Sequence, residues 1–186
     1  ADEPSDLPGE PALPVEQFEL RAVAVSIFRD VADFHEKMGI LPPRHQRPRG
    51  CHPPAPMQGR LSQDACAVMA KHLRHWRHLM LVEGTEAASR FAWIFEELAE
   101  TLEAHAEGDL VEEIDGRLDL IYFLAGDLDF MNVPHAVSEA AWAEVHRANM
   151  AKTPQRLGAD RASKIIKPDG WEPPRLAELL GLKEER

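Results

Sequence analysis

From Ser62 to Lys152 apolar residues recur every three or four positions, and no stretch alternates apolar and polar residues as a half-buried strand does. Proline, which removes a helix donor and clashes with the preceding turn, crowds instead into 4–14, 42–56 and 154–174, with Pro134 the exception. A chain patterned this way can fold only as packed helices joined by short turns. The class expected is all-α.

The helical runs can be placed by their stop and start signals. A first helix is expected over 15–38, with Val23, Ile27, Val31, Phe34 and Met38 on one stripe and Gly39 as its stop. Ser62 is a natural N-cap for a second run to Val82, turning Met69, Leu73, Trp76 and Met80 inward, and Gly84 breaks it. The next run, 85–104, presents Phe91, Ile94, Phe95, Leu98 and Leu102 as its apolar face. After Glu107-Gly108-Asp109, residues 110–130 make a further helix, ended by Asn132-Val133-Pro134. A last long helix covers 134–152, packing through Val137, Trp142, Val145 and Met150, and a short helical pattern follows at 176–182. Residues 1–16 read as a flexible arm, 17–152 as the helical domain and 153–186 as a tail. Within the domain, 41–60 carries six prolines with Arg44, Arg47, Arg49 and Arg60, which suits either a solvated connector or a basic flap over an anion.

Charge and composition exclude several classes. With 21 Lys and Arg against 32 Asp and Glu, the chain carries a net charge of −11, which disfavours nucleic-acid polymers and anionic membrane surfaces. Two cysteines, Cys51 and Cys66, cannot build a disulfide scaffold. No stretch has the length and apolarity of a membrane span, and the acidic, Pro-rich start is unlike a signal peptide, so a cytoplasmic setting is expected.

The acids are not evenly spread. Between Glu96 and Asp119 there are ten of them and a single base, Arg117. At about 100° per residue, Glu96, Glu97, Glu100 and Glu103 share an arc of roughly 120°. Alone, that arc describes any solvated amphipathic helix. Glu112, Asp115 and Asp119 fall within about 60° of one another on the next helix. Asp119 also lies inside Leu118-Asp-Leu-Ile-Tyr-Phe-Leu124, a run apolar nearly all round, and is expected to be buried with a cationic partner. Two facing helices of this kind offer only hard oxygen ligands, the chemistry of Mg²⁺ or Mn²⁺. Basic residues follow at Arg147, Lys152, Arg156, Arg161, Lys164 and Lys167, as a metal-bound polyphosphate would require or as a tail balancing its own acids would show.

Other signals carry less. His72, His75 and His78 drift round their helix among Lys71, Arg74 and Arg77 and read as surface residues. Trp76, Trp93 and Trp142 are expected in the core, while Trp171, in a polar Pro-flanked tail, is left open.

Four segments taken in order resemble the all-α nucleoside triphosphate pyrophosphatases, the superfamily of MazG-like enzymes, dimeric dUTPases and phosphoribosyl-ATP pyrophosphohydrolases. They are Asp30-Val-Ala-Asp-Phe-His-Glu-Lys-Met-Gly39, Glu96-Glu-Leu-Ala-Glu100, Glu112-Glu-Ile-Asp-Gly-Arg-Leu-Asp-Leu-Ile-Tyr122, and Glu144-Val-His-Arg-Ala-Asn-Met-Ala-Lys152 with Lys167-Pro-Asp-Gly-Trp171. The resemblance implies a MazG-like helical bundle assembled as a homodimer or homotetramer. It also implies Mg²⁺-dependent cleavage of the α–β phosphoanhydride of a nucleoside triphosphate to monophosphate and pyrophosphate, with a pyrimidine deoxynucleotide such as dUTP or dCTP as substrate. By the same resemblance Glu96, Glu97, Glu100 and Asp119 hold metal, joined by Asp115 or Glu112, and Glu97 orients the attacking water. Lys152, with Asn149, contacts phosphate or a neighbouring metal-bound water as a catalytic group, and Lys167 and Trp171 close over the nucleotide. One departure stands out: the position three before Asp119, an acid in the common motif, is Gly116. A non-catalytic helical protein that binds metal or nucleotide, as a sensor or interaction module, is the competing reading.

Overall fold

The computed structural model describes residues 26–40, 61–155 and 164–182. The arm 1–16, the start of the first helix with Val23, the 41–60 segment with its arginines and Cys51, and Arg156 and Arg161 lie outside the described residues. Among the described residues there are six helices and a two-stranded sheet: α1 (Ile27–Lys37), α2 (Gln63–Glu83), α3 (Glu86–Glu107), α4 (Leu110–Phe130), α5 (His135–Met150), β1 (Thr153–Gln155), β2 (Lys164–Ile166) and α6 (Leu176–Leu179). The all-α expectation holds, with the small hairpin as an addition that its three-residue strands were too short to announce. No described helix is long and apolar enough to cross a membrane. The chain divides into two compact units, residues 47–135 and residues 1–46 with 136–186.

The 47–135 unit is a stack of α2 on α3 and α3 on α4. Its corners follow from local chemistry. Ser62 accepts from Ala65 N–H at 3.2 Å, Thr85 from Ala88 N–H at 3.1 Å, and Asp109 from Val111 and Glu112 N–H at 3.1 and 3.2 Å. Each such cap is worth about 1 kcal/mol. Gly84 and Gly108 end α2 and α3 with φ of 71° and 81°, left-handed values that cost other residues energy. Two-residue connections of this kind make successive helices antiparallel neighbours.

The core of this unit is small-residue packing. Cys66, Ala70 and Leu73 of α2 meet Ala99 and Leu102 of α3, with Phe95 and Ala106 against them. This corrects the expected faces. Leu73 and Leu102 are buried as read, but Met69, Trp76, Phe91 and Leu98 are exposed, and Ala88, Ala92, Ala99 and Ala104 line the buried side of α3. Alanines let the helix axes approach closely, so the seam forms on their side and the larger side chains are left outside it. Trp76, 48% exposed, and Trp93 are therefore not core residues. Asp119 is only half-buried, because Leu118, Leu124 and Tyr122, which is 77% exposed, stand on open faces of α4; the buried acid of this helix is Glu113. His72, His75 and His78 are exposed, as read.

In the second unit, Ser26 caps α1 and Met38 ends it fully buried, whereas Val31, seven residues earlier on the same stripe, is exposed, against expectation. Trp142 of α5 donates its indole N–H to Asp30 at 2.7 Å, and Lys37 donates to the Met150 carbonyl. β1 and β2 are antiparallel, with Thr153 opposite Ile166 and Gln155 opposite Lys164. Glu144, buried on α5, binds Arg147 through two bonds of 2.8 Å and both the backbone N–H and Nε of Arg175 at 3.1 Å, fastening the segment before α6.

Candidate metal and phosphate sites

The acids expected to act together sit on the α3–α4 pair. Glu96 and Glu97 are half-buried on α3 and Glu100 is exposed; on α4 Asp119 is half-buried, while Asp115 and Glu112 are exposed. Glu112 belongs to the capping turn, donating its N–H to Asp109. The carboxyl of Glu97 is pushed above the usual carboxylate range, first by desolvation and then by the negative charges of Glu100, Asp119, Glu96 and Asp115. Carboxylates from both helices thus press on Glu97, and a group so placed favours a proton or a cation.

Gly116 explains how α4 comes close enough. A Cβ there would stand 2.3 Å from Thr101 Oγ1 and 3.5 Å from the Glu97 carbonyl. The hydroxyl of Thr101 donates to that carbonyl at 2.8 Å. The departure from the common acidic motif is therefore a helix-crossing residue, and the acids on either side of it, Asp115 and Asp119, both act on Glu97. Farther along, Arg90 of α3 pairs with Asp127, donates to the Phe123 carbonyl at 3.0 Å and covers the Phe130 ring at 4.4 Å, holding the other end of the same helix pair.

The fit to a divalent cation can be judged from donors and geometry. The donor set is oxygen only, which suits a hard ion such as Mg²⁺ or Mn²⁺, and the strained ionisation of Glu97 is relieved by one. Among the described residues, no three His, Cys, Asp or Glu side chains converge tightly enough to hold a metal as they stand. The donor chemistry suits such an ion, while the described side chains do not converge on one.

Two features of the acidic face had no place in the sequence reading. Arg77 of α2 pairs with Glu96 at 3.0 Å, and Arg74 grips Glu103 through two bonds of 2.6 and 3.2 Å. The signal was present: arginines three apart on one helix and glutamates seven apart on its antiparallel neighbour. Beneath them, Glu113 forms a buried cluster with Arg117 at 2.6 Å and His105 Nδ1 at 3.2 Å, while His105 Nε2 accepts from Leu61 N–H at 3.2 Å. Arg117 first, then His105, holds Glu113 below the ordinary carboxylate range.

In the second unit the four residues expected to bind substrate come together. Lys152 donates to Asn149 Oδ1 at 2.8 Å, and Trp171 donates its indole N–H to the Ala148 carbonyl at 2.8 Å. The ammonium groups of Lys167 and Lys152 lie 4.3 and 5.9 Å from the centre of the Trp171 ring. The indole settles two cations near each other, a local concentration of positive charge that attracts phosphate.

Residues 81–149, from the end of α2 through nearly all of α5, match the family described as phosphoribosyl-ATP pyrophosphohydrolase. That family is one of all-helical, MazG-like pyrophosphohydrolases, hydrolases acting on phosphoanhydrides, and the likeness covers this stretch of the chain. The activity it suggests is nucleotide pyrophosphohydrolysis, and MazG-like members generally use divalent metal ions. No curated protein and no solved structure matches the chain significantly.

Proposed function

We propose that this chain is a cytoplasmic, Mg²⁺-dependent nucleoside triphosphate pyrophosphohydrolase that cleaves the α–β phosphoanhydride of a deoxynucleotide, with dUTP or dCTP preferred to phosphoribosyl-ATP. The observation that carries the reading is Glu97, a carboxyl raised by desolvation and then by the converging acids of α3 and α4, inside the matched segment. A raised carboxylate is a better proton acceptor near neutral pH than an ordinary one. In the proposed reaction Glu97 takes a proton from water as its oxygen bonds to the α-phosphorus. The bond from that phosphorus to the bridging oxygen breaks, and pyrophosphate leaves with the electron pair. Glu97 and Glu100 with Asp115 and Asp119 are proposed to hold Mg²⁺ or Mn²⁺, with Glu112 at the rim. A bound divalent ion supplies positive charge that polarises the phosphoryl oxygens. Lys152 and Lys167 are proposed to neutralise phosphate, with Asn149 fixing Lys152 and Trp171 fixing both lysines.

We also propose a homodimer or homotetramer. The exposed Trp76, Phe91, Leu118 and Tyr122 are larger apolar groups than a monomer's surface ordinarily leaves open. Light scattering on the purified chain reads the assembly directly.

The deciding experiment is a panel of NTPs, dNTPs and phosphoribosyl-ATP with Mg²⁺ or Mn²⁺, products resolved by chromatography. Equal amounts of monophosphate and pyrophosphate, abolished by chelator, establish the reaction and name the base. Absence of turnover alongside saturable metal binding supports the sensor reading instead.

A further inference from the structure

The acids of the first motif do not all face the same neighbour. Along α3, Glu103 lies only about 20° round the helix from Glu96, whereas Glu97 is about 100° away and Glu100 falls between. The two nearly aligned glutamates meet the two arginines of α2, Arg77 on Glu96 and Arg74 on Glu103. Glu97, on the other side, feels Asp115 and Asp119 of α4. Arg77 is no loose surface arm: its side chain is 33% exposed, and its Nε is buried with no hydrogen-bond partner among the described residues. The guanidinium is wedged against α3 with Glu96 as its anion. Arg74 extends the same cationic rail, held charged by Glu103 first and by Glu100 and Glu96 as well.

We infer that Arg77 is a positioning residue of the metal site: it claims Glu96 as its own counter-ion, so that the cation is left to Glu97, Glu100, Asp115 and Asp119. This rests on the metal-site reading above. The ion pair has two physical effects. It turns one carboxylate of the Glu-Glu-x-x-Glu motif away from the α3–α4 face, and it screens the charge by which Glu96 raises Glu97. Arginine and metal therefore compete for Glu96, and removing the arginine returns a ligand to the cation.

The test is Mn²⁺ titration of the full chain, without nucleotide, followed by the loss of the free-ion electron paramagnetic resonance signal. Arg77→Gln is expected to bind Mn²⁺ roughly fivefold more tightly, the size of effect that a partly exposed ion pair carries. Glu96→Gln in the otherwise unchanged protein is expected to stay within about twofold of the parent chain, because Glu96 is held by Arg77, and in the Arg77→Gln background to cancel the gain, because the returned ligand is then missing. Arg77→Lys, which keeps the charge, is expected to restore ordinary affinity. Structural damage at Arg77 predicts weaker binding, so the sign separates the two. Glu96→Gln weakening Mn²⁺ as severely as Glu97→Gln would overturn the assignment of Arg77 while leaving the metal site standing. A double variant that keeps the gain would also overturn it, since the arginine would then act only through its field. An unsubstituted chain with no saturable Mn²⁺ binding, or Glu97→Gln binding as it does, would remove the metal site and this inference together.

Discussion

Gly116 of α4 rests directly on Thr101 of α3, so closely that a methyl group at Gly116 would stand 2.3 Å from the threonine hydroxyl oxygen. The contact fixes the distance between the two helices that carry the acids. It also ties together residues that a sequence reading treats separately, because Thr101 bonds the carbonyl of Glu97, and Asp115 precedes the glycine itself.

Gly116→Ala is therefore expected to lower stability by about 1–3 kcal/mol, the range for overpacking, despite alanine's better helix propensity. Thr101→Ala in the same chain, which removes the obstructing hydroxyl, is expected to recover most of the loss. Urea unfolding of the parent chain and the two variants checks both statements.

Glu97→Gln is expected to raise the melting temperature of the metal-free protein at neutral pH and to remove most turnover. A carboxyl raised on folding is protonated sooner in the folded chain, so its ionised form costs stability above that raised value, and the cost fades as pH falls through it. The stabilisation by glutamine should shrink on acidification. Calorimetry at several pH values reads this, and a folded Glu97→Gln variant with full Mg²⁺-dependent activity would end the assignment.

Glu144 behaves in the opposite sense. Arg147 first, with help from both donors of Arg175, draws its carboxyl down to about 2. Its contribution is complete above the ordinary value of 4.5 and is lost as pH falls from there towards 2. A shift of that size in a buried group corresponds to roughly 3 kcal/mol. Glu144→Gln is expected to lower stability at pH 7 and to flatten the acid limb of the unfolding profile.

Trp171→Ala removes both the bond to the Ala148 carbonyl and the ring on which Lys152 and Lys167 settle. If these lysines serve phosphate, KM for the nucleotide is expected to rise about fivefold to tenfold, given the roughly 1 kcal/mol of a cation–π contact and a hydrogen bond. Phenylalanine, which keeps the ring but loses the donor, is expected to fall between. Steady-state kinetics on the substrate named by the panel separates the three.

Helix positions in this protein were legible because they are set locally. Ser62, Gly84, Thr85, Gly108 and Asp109 each satisfy or release backbone groups within a few residues of themselves, so the ends of α2, α3 and α4 needed no knowledge of the neighbours. The order of the acids and of the lysines that follow them was equally a property of the chain. Which face of each helix is buried was not. Periodicity marked a broad apolar arc, and the position within it was chosen by the close approach that Ala70, Ala99 and Gly116 permit, leaving Trp76 and Phe91 outside. The same approach decided which charges meet: Arg77 reached Glu96, and Asp115 and Asp119 came to bear on Glu97. A sequence sets what each turn of helix can offer; only the packing distance between helices decides which offers are taken up, because charge and contact both depend on separations of a few ångströms across elements far apart in the chain.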